Sequence, residues 1–347
     1  MRAAVLYKPL DLRLEERDIP KPEKNEIVIK VHTSGLCPSD VKIFRNGGFN
    51  VKYPVVLGHE VSGIVYEVGD GIEDFKKGDK VVVAADGYCG KCRMCRIGKE
   101  NLCLNPLELG YNVDGGHADY MKVPEKFIER NALIKLPDWA PLDIMSLTEP
   151  LATAIHNQRS LDVHYEESEL IIGDGPMGLL NVFAAKKLGV NKIAIIGLWE
   201  WKLNIAKKLG ADYTYFADDP SLLEKIKRDF PDGFCGVTVT IPNEQTVDEA
   251  LRLASKGCKV SIFAGLPLNN SRYIIDSNLI HYNELEIVGS YGYTYYEFEL
   301  SSKYLLQNSD SIRQIVSHKF ELSDIYAAIK TWDDKQSSLK ILLSRKN

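Results

Sequence analysis

The sequence holds no apolar run near the roughly 20 residues that a membrane-spanning helix needs. It has no excess of basic residues either: 43 Lys and Arg stand against 48 Asp and Glu, for a net charge of -5. A basic stripe or domain, the footprint of a nucleic-acid binder, is therefore missing. The opening Met1-Arg2-Ala3-Ala4-Val5-Leu6-Tyr7-Lys8-Pro9 lacks a charged head followed by an apolar stretch, so it does not read as a signal peptide. A cytoplasmic protein with neither membrane nor nucleic acid as partner is expected. Internal repeats, low-complexity tracts and Ser/Pro-rich linkers are also missing. What is present is an ordinary folded composition, 45% hydrophobic and 26% charged over 347 residues. At roughly 150 residues per domain, that length favours two domains.

The rhythm changes near residue 150. Before it come short branched runs such as Ile27-Val28-Ile29-Lys30-Val31 and Lys80-Val81-Val82-Val83, bounded by Gly-rich turns, which suit a barrel or sandwich. After it, strands predicted at 170–172, 192–196, 236–240 and 259–263 alternate with helices at 179–188 and 200–209. Such alternation marks a parallel sheet with helices on both faces. A helix around 297–307 follows, and the apolar run 339–343 is free to return to the first domain.

Four of the seven cysteines fall in Cys89-x2-Cys92-x2-Cys95-x7-Cys103. In a reducing compartment, such clustering points to metal rather than disulfides. Four thiolates in a tight loop suit a closed, structural zinc; an iron–sulfur cluster is the alternative. Cys235 and Cys258 read as buried and inert. Elsewhere Cys37-Pro38-Ser39-Asp40, Gly58-His59-Glu60 and Thr148-Glu149-Pro150 offer a Cys, a His and carboxylates that could hold an open zinc site. By residue type alone the signal is weak, since a lone Cys is usually a small buried hydrophobe and a lone Gly-His-Glu usually a turn.

Gly173-x-Gly175-x-x-Gly178 follows a strand and opens a helix. The first glycine allows the tight turn, the second lets a pyrophosphate approach, and the third lets helix and strand pack closely. With Pro176 and Met177 it forms a candidate dinucleotide loop, the helix N-terminus supplying N–H donors. An acid for the ribose 2′-hydroxyl is expected at the end of the next strand, where Gly197 stands instead. With Lys202 downstream, this favours NADP over NAD, unless Glu200 fills the acidic role through a shifted turn. Gly265, beyond the last predicted strand, is a further coenzyme candidate.

Taken in order, these motifs resemble the zinc-containing medium-chain dehydrogenase/reductase family over essentially the whole chain. The carriers are Leu57-Gly58-His59-Glu60-Val61-Ser62-Gly63, the four-cysteine lobe, Asp114-Gly115-Gly116-His117-Ala118-Asp119-Tyr120 and Gly173-Asp174-Gly175-Pro176-Met177-Gly178. The resemblance implies an α/β protein. A GroES-like catalytic domain would span 1–152 and 298–347, with the structural-zinc lobe at 89–103. A Rossmann doubly wound coenzyme domain would span 153–297, and the active site would lie in the cleft between the two. It makes Cys37, His59 and Glu60 catalytic-zinc ligands and Glu149 a fourth or exchangeable one, so two zinc ions per chain. Ser39 becomes the proton-relay hydroxyl and Asp40 the carboxylate that orients a metal-bound His. Glu149 takes a proton when it is off the metal.

Glu60 together with Glu149-Pro150-Leu151 is similar to the polyol, sorbitol-like branch. The implied reaction is hydride transfer from a secondary alcohol of a polyol, sugar or sugar phosphate to NAD(P), by a homodimer or homotetramer. L-Threonine or a simple secondary alcohol is the rival substrate, and a non-catalytic dinucleotide-binding relative the distant one. Pro38 departs from the family's usual Gly. His117 replaces the usual Phe and reads as an exposed surface His. The segment Gly289-Ser290-Tyr291-Gly292-Tyr293 lacks the Arg often seen in polyol enzymes, and its tyrosines read as packing or interface.

Overall fold

A computed structural model describes residues 1–241, 243–266 and 271–345. The chain divides into two compact units, one of residues 1–152 and 293–347, the other of residues 153–292.

The first unit is built on a seven-stranded sheet. Its path runs Leu133–Leu136, Lys80–Val83, Glu60–Val68, Ile27–Leu36, Lys340–Ser344 and Val316–Phe320, and Tyr120–Val123 also pairs with Ile27–Leu36. The pairings are antiparallel except that between Lys340–Ser344 and Val316–Phe320. A three-stranded sheet of Asp11–Glu16, Arg2–Lys8 and Val55–Val56 adjoins it in sequence. One core cluster gathers Leu6, Leu36, Val41 and Leu57 with Ile325, Ile329, Ile341 and Leu343, so both ends of the chain build it. Each such side chain contributes roughly 1.5–3 kcal/mol when fully buried. The expected return of the apolar run near 339 is therefore the strand Lys340–Ser344, in register Ile341↔Leu36 and Leu342↔Gly35.

Re-entry into this unit comes at Tyr293, ahead of the expected boundary at 298. The cause is a tyrosine clamp. Tyr293 is buried, and its hydroxyl accepts the Ala85 N–H at 2.8 Å. The Tyr88 hydroxyl donates to the Tyr293 carbonyl at 2.6 Å, and the Tyr295 hydroxyl accepts the Tyr88 N–H at 2.9 Å. These tyrosines pack, as expected, whereas Tyr291 and Tyr296 are exposed.

The second unit is a six-stranded, wholly parallel sheet. Its order is Tyr213–Phe216, Lys192–Gly197, Ser168–Ile172, Phe234–Val239, Ala254–Ile262, Glu286–Gly289. The order reverses beside the first strand, which is the doubly wound arrangement with its switch point there. The predicted helices appear as Pro176–Leu188 and Glu200–Leu209, each closed by a positive-φ glycine, Gly189 and Gly210. Beneath the sheet lies a buried polar knot. Gln158 Nε2 donates to Glu169 Oε1 at 2.8 Å, as does Thr238 Oγ1 at 3.0 Å, and Asn157 Nδ2 donates to Asn181 Oδ1 at 2.8 Å. Burial pushes the Glu169 carboxyl up to about 7, against the pull of those hydrogen bonds from Gln158 and Thr238. Cys235 and Cys258 are half-buried rather than buried, on the neighbouring strands Phe234–Val239 and Ala254–Ile262. Burial and the adjacent Cys235 push the Cys258 thiol up to about 12, which keeps it unreactive. Among the described residues, no helix is long and apolar enough to cross a membrane.

Candidate functional site

Strand pairing assembles the first site. Cys37 follows directly on the strand Ile27–Leu36 and caps the helix Pro38–Asn46. Pro38 sits at the first helical position, where a missing N–H goes unnoticed, so the departure from Gly is absorbed without distortion. Glu60 opens the next strand and pairs with Gly35. A Cβ on Gly35 would stand 1.8 Å from Glu60 Oε2, so only glycine leaves room for that carboxylate. The turn before it needs Gly58 at φ +98°. As a result one ligand atom each from Cys37, His59 and Glu60 lies within 4.8 Å of the others. Cys, His and carboxylate with an open fourth position form a donor set suited to catalytic zinc.

The surroundings hold these groups in place. Asp40 Oδ1 faces His59 Nδ1 at 3.4 Å, while Ser39 Oγ lies 3.4 Å from His59 Nε2. Lys340, 3% exposed, pairs with the Glu60 carboxylate and donates to the Leu36 carbonyl at 3.3 Å. Burial would lower the Lys340 ammonium, but Glu60 and then Cys37 hold it above its ordinary value. Burial likewise opposes ionisation of His59, yet Asp40 and Cys37 hold it well above the ordinary imidazole range in the metal-free chain. An incoming metal therefore displaces a proton.

Glu149 lies in the first turn of the helix Thr148–Leu161, outside the group of three. Burial pushes its carboxyl up to about 8; the His59 charge opposes that and Glu60 adds to it. Asp86 is pushed up to about 7 by burial and by Glu108. The His59 and Tyr111 rings have centroids 6.3 Å apart.

The four-cysteine lobe closes as expected: the sulfurs of Cys89, Cys92, Cys95 and Cys103 all lie within 4.8 Å of one another. Two of the separations are 3.5 Å for Cys92–Cys95 and 4.0 Å for Cys89–Cys95. Tetrahedral zinc with Zn–S near 2.3 Å sets sulfurs about 3.8 Å apart, so the cradle fits. Backbone N–H groups point at the sulfurs, from Cys89 to Cys103 at 3.2 Å and from Cys92 to Cys89 at 3.4 Å, which favours thiolates. The short helix Arg93–Arg96 has no buried residue, so packing alone does not shape this loop.

In the second unit, each glycine of the loop has its own role. Gly173 adopts φ +117°, a Cβ on Gly175 would meet nothing within 4 Å, and one on Gly178 would stand 1.8 Å from the Gly173 carbonyl oxygen. The helix Pro176–Leu188 starts with Gly175 as its cap, an open N-terminus suited to a pyrophosphate. A Cβ on Gly265 would also meet nothing within 4 Å.

The expectation that no carboxylate stands at the end of the second strand is corrected. Asp174 Oδ2 accepts the N–H groups of Leu198 and Trp199, both at 2.8 Å. A Cβ on Gly197 would fall 2.6–2.8 Å from Asp174 side-chain atoms. Gly197 is small because Asp174 fills that space. Lys202 is buried at 3% exposure rather than displayed beside it.

Two family models match the chain, the alcohol dehydrogenase GroES-like domain over residues 23–138 and the zinc-binding dehydrogenase domain over residues 176–307. The sorbitol dehydrogenase of Bacillus subtilis (strain 168) is 30% identical over 99% of this chain and 97% of that one. The chain belongs to the zinc-containing medium-chain dehydrogenase/reductase family. It is an oxidoreductase acting on alcohols, on the polyol/threonine branch. The L-threonine 3-dehydrogenase of Thermococcus kodakarensis is 32% identical over 92% of this dehydrogenase and 91% of that one. An alcohol dehydrogenase from Escherichia coli CFT073 complexed with NADH superposes with a TM-score of 0.87, at 27% identity over 99% of both chains. A dehydrogenase from Sinorhizobium meliloti 1021 bound to NADP gives 0.88, at 26% identity over 99% of both.

Sequence reasoning missed several residues that surround these candidate sites. Lys340 and Gly35 carry no motif, since only strand register brings them to Glu60. Asp174 lies inside the glycine loop, where the motif assigns it no role. His117 is corrected from an exposed surface residue to one 1% exposed. Its polar neighbours on the sequence, Asp114 and Asp119, gave no hint of that.

Proposed function

We propose that this dehydrogenase oxidises a secondary alcohol of a neutral polyol or sugar, passing hydride to a nicotinamide dinucleotide. The observation carrying this reading is the Cys37–His59–Glu60 group, a three-ligand set with Glu149 beside it. Zinc held there supplies a Lewis acid for the substrate hydroxyl, and a second zinc in the four-cysteine lobe fixes the fold. Ser39, whose hydroxyl lies 3.4 Å from His59 Nε2, carries the alcohol proton outward. Glu149, its carboxyl pushed up to about 8 by burial, is mostly protonated at neutral pH, so it accepts a proton only through its ionised fraction, which grows as the pH nears 8.

Asp86 and Glu149, pushed up to about 7 and about 8, gain negative charge as the pH rises through that range, which disfavours a sugar phosphate there. The same acids would accept an ammonium group, and this is the specific support for L-threonine as the second reading. On the coenzyme side, Gly197 argues for NADP and the Asp174 charge argues against it. With the two opposed, both coenzymes are used. The open edge strand Glu286–Gly289 supports a homodimer or homotetramer.

The test is the initial rate of nicotinamide reduction with polyols, sugars, sugar phosphates and L-threonine. Each is run with NAD and NADP, before and after treatment with a zinc chelator. A chelator-sensitive rate, greatest with a neutral polyol, is expected. Turnover confined to L-threonine would replace the polyol reading. No turnover from protein carrying two zinc ions per chain would overturn both.

A further inference from the structure

His117 belongs to the family's glycine-glycine segment yet lies against Asp40 and the Leu57–Gly58 turn that leads into His59. Its imidazole is wholly buried, and Nδ1 sits 3.0 Å from the Ser34 hydroxyl. The other ring nitrogen, Nε2, faces Asp40 Oδ2 at 3.6 Å, and Asp40 Oδ1 faces His59 Nδ1 at 3.4 Å. His117 Nε2 and His59 Nδ1 are both buried atoms without a hydrogen-bond partner of good geometry. Each is aimed at one oxygen of the same carboxylate. Buried ring nitrogens need such partners, because an unmade bond there carries the full desolvation penalty.

We propose that His117 is a positioning residue for the metal: a buried chain of Ser34, His117, Asp40 and His59 fixes the ligand imidazole with Nδ1–H toward Asp40 and the Nε2 lone pair toward the ion. The proton assignment follows from the partners. A nitrogen facing a carboxylate must donate, so His117 carries its proton on Nε2 and its Nδ1 accepts from Ser34 Oγ–H. Asp40 then collects four donors, with the Cys37 N–H on Oδ2 at 2.9 Å and the Gly58 N–H on Oδ1 at 3.3 Å completing the set. A carboxylate pinned at both oxygens cannot turn away from His59.

Backbone contacts couple the same parts. The His117 N–H donates to the Leu57 carbonyl and the Gly116 N–H to the Gly58 carbonyl, both at 2.8 Å. A Cβ on Gly58 would stand 2.5 Å from His117 Nδ1 and 2.8 Å from Ser34 Oγ. The ligand turn and the imidazole are therefore packed as one piece, and Gly58 is the residue that makes space for the ring.

The inference rests on the reading of Cys37, His59 and Glu60 as a metal site, and the experiment separates the two. Zinc content, zinc affinity by competition with a chromophoric chelator, and the absorption spectrum after cobalt substitution are measured on the full chain. The proteins are wild type, His117→Phe, His117→Gln and Ser34→Ala. Wild type carrying only one metal per chain would overturn the metal site itself. With two metals present, His117→Phe fills the volume but loses the donor. Its affinity at the Cys37 site should fall by about tenfold or more, the loss typical when a ligand's outer partner is removed. The cobalt bands should shift while the four-cysteine metal stays bound. His117→Gln restores an N–H near the Nε2 position and should recover most of the affinity. If His117→Phe keeps wild-type affinity and spectrum, or if His117→Gln is as weak as His117→Phe, the proposal is overturned and the ring only packs. Should His117→Phe fail to fold, Ser34→Ala decides: a weakened site supports the chain of bonds, and an unchanged one overturns it.

Discussion

Replacing Lys340 by Met leaves the Glu60 carboxylate buried without its cation. Both side chains are nearly sealed from water, at 4% and 1% exposure, so solvent cannot take over the role of the lost partner. Breaking a buried pair in this way costs about 3–5 kcal/mol. For a folding unit of this size, each kcal/mol shifts the melting temperature by roughly 2–4 °C, which gives a drop of about 6–20 °C for metal-free protein. Two controls sharpen the reasoning. The double variant Glu60→Gln/Lys340→Met removes both charges and should recover most of the loss, because what costs is the orphaned charge. Added zinc should also narrow the gap, since Glu60 then has a cation again. Differential scanning calorimetry of the single and double variants, with and without zinc, reads all of this. A single variant melting within 2 °C of wild type, or a double variant no better than the single, would refute the account of Lys340 as the partner of a buried Glu60.

Two further outcomes are expected. Asp174→Asn removes a negative charge from the end of the Lys192–Gly197 strand, where a 2′-phosphate would sit; a relief of about 1–2 kcal/mol moves the kcat/KM ratio toward NADP by roughly five- to thirtyfold, and an unmoved ratio would show that Asp174 only pins the Leu198–Trp199 turn. Glu169 keeps its proton to about pH 7 in the folded chain but to about 4.5 when unfolded, so stability falls as pH rises between those values and the contribution is gone above 7. Chemical denaturation across that window should show a loss on the order of 3 kcal/mol in wild type and a flatter profile in Glu169→Gln; equal slopes would mean that Glu169 is ionised in the fold.

The sequence was most legible where chemistry is local. The four cysteines close their own loop within a few residues, and the glycine loop needs only the strand before it and the helix after it. Ser39 and Asp40 ride on the same short helix as Cys37, so their placement near the metal group followed from that one ligand. What stayed hidden depends on register between distant strands. Nothing near Lys340 announces that Ile341 pairs with Leu36, which is what carries the ammonium to Glu60. Gly35 looked like any strand glycine until the Glu60 carboxylate proved to fill its side-chain space. The inference drawn from Gly197 treated one position in isolation. The Asp174 side chain, from the neighbouring loop, fills the space that a side chain at 197 would need. His117, read as a surface residue because it replaces the family's usual Phe, was misjudged because the carboxylate it faces, on Asp40, lies far away in sequence.

The pairing of Ile27–Leu36 with Lys340–Ser344 also sets a timetable for the growing polypeptide. Lys340 is made 280 residues after Glu60. At 5–20 residues per second, the ribosome needs about 14–56 s to cover that distance. For this interval the strand Ile27–Leu36 has one flank unpaired, an apolar edge open to other nascent chains. The second unit, contiguous and made in between, can complete its parallel sheet during the wait. Chaperone demand and aggregation in the cell should therefore concentrate on the first unit, and slowing translation late in the message would lengthen the vulnerable period.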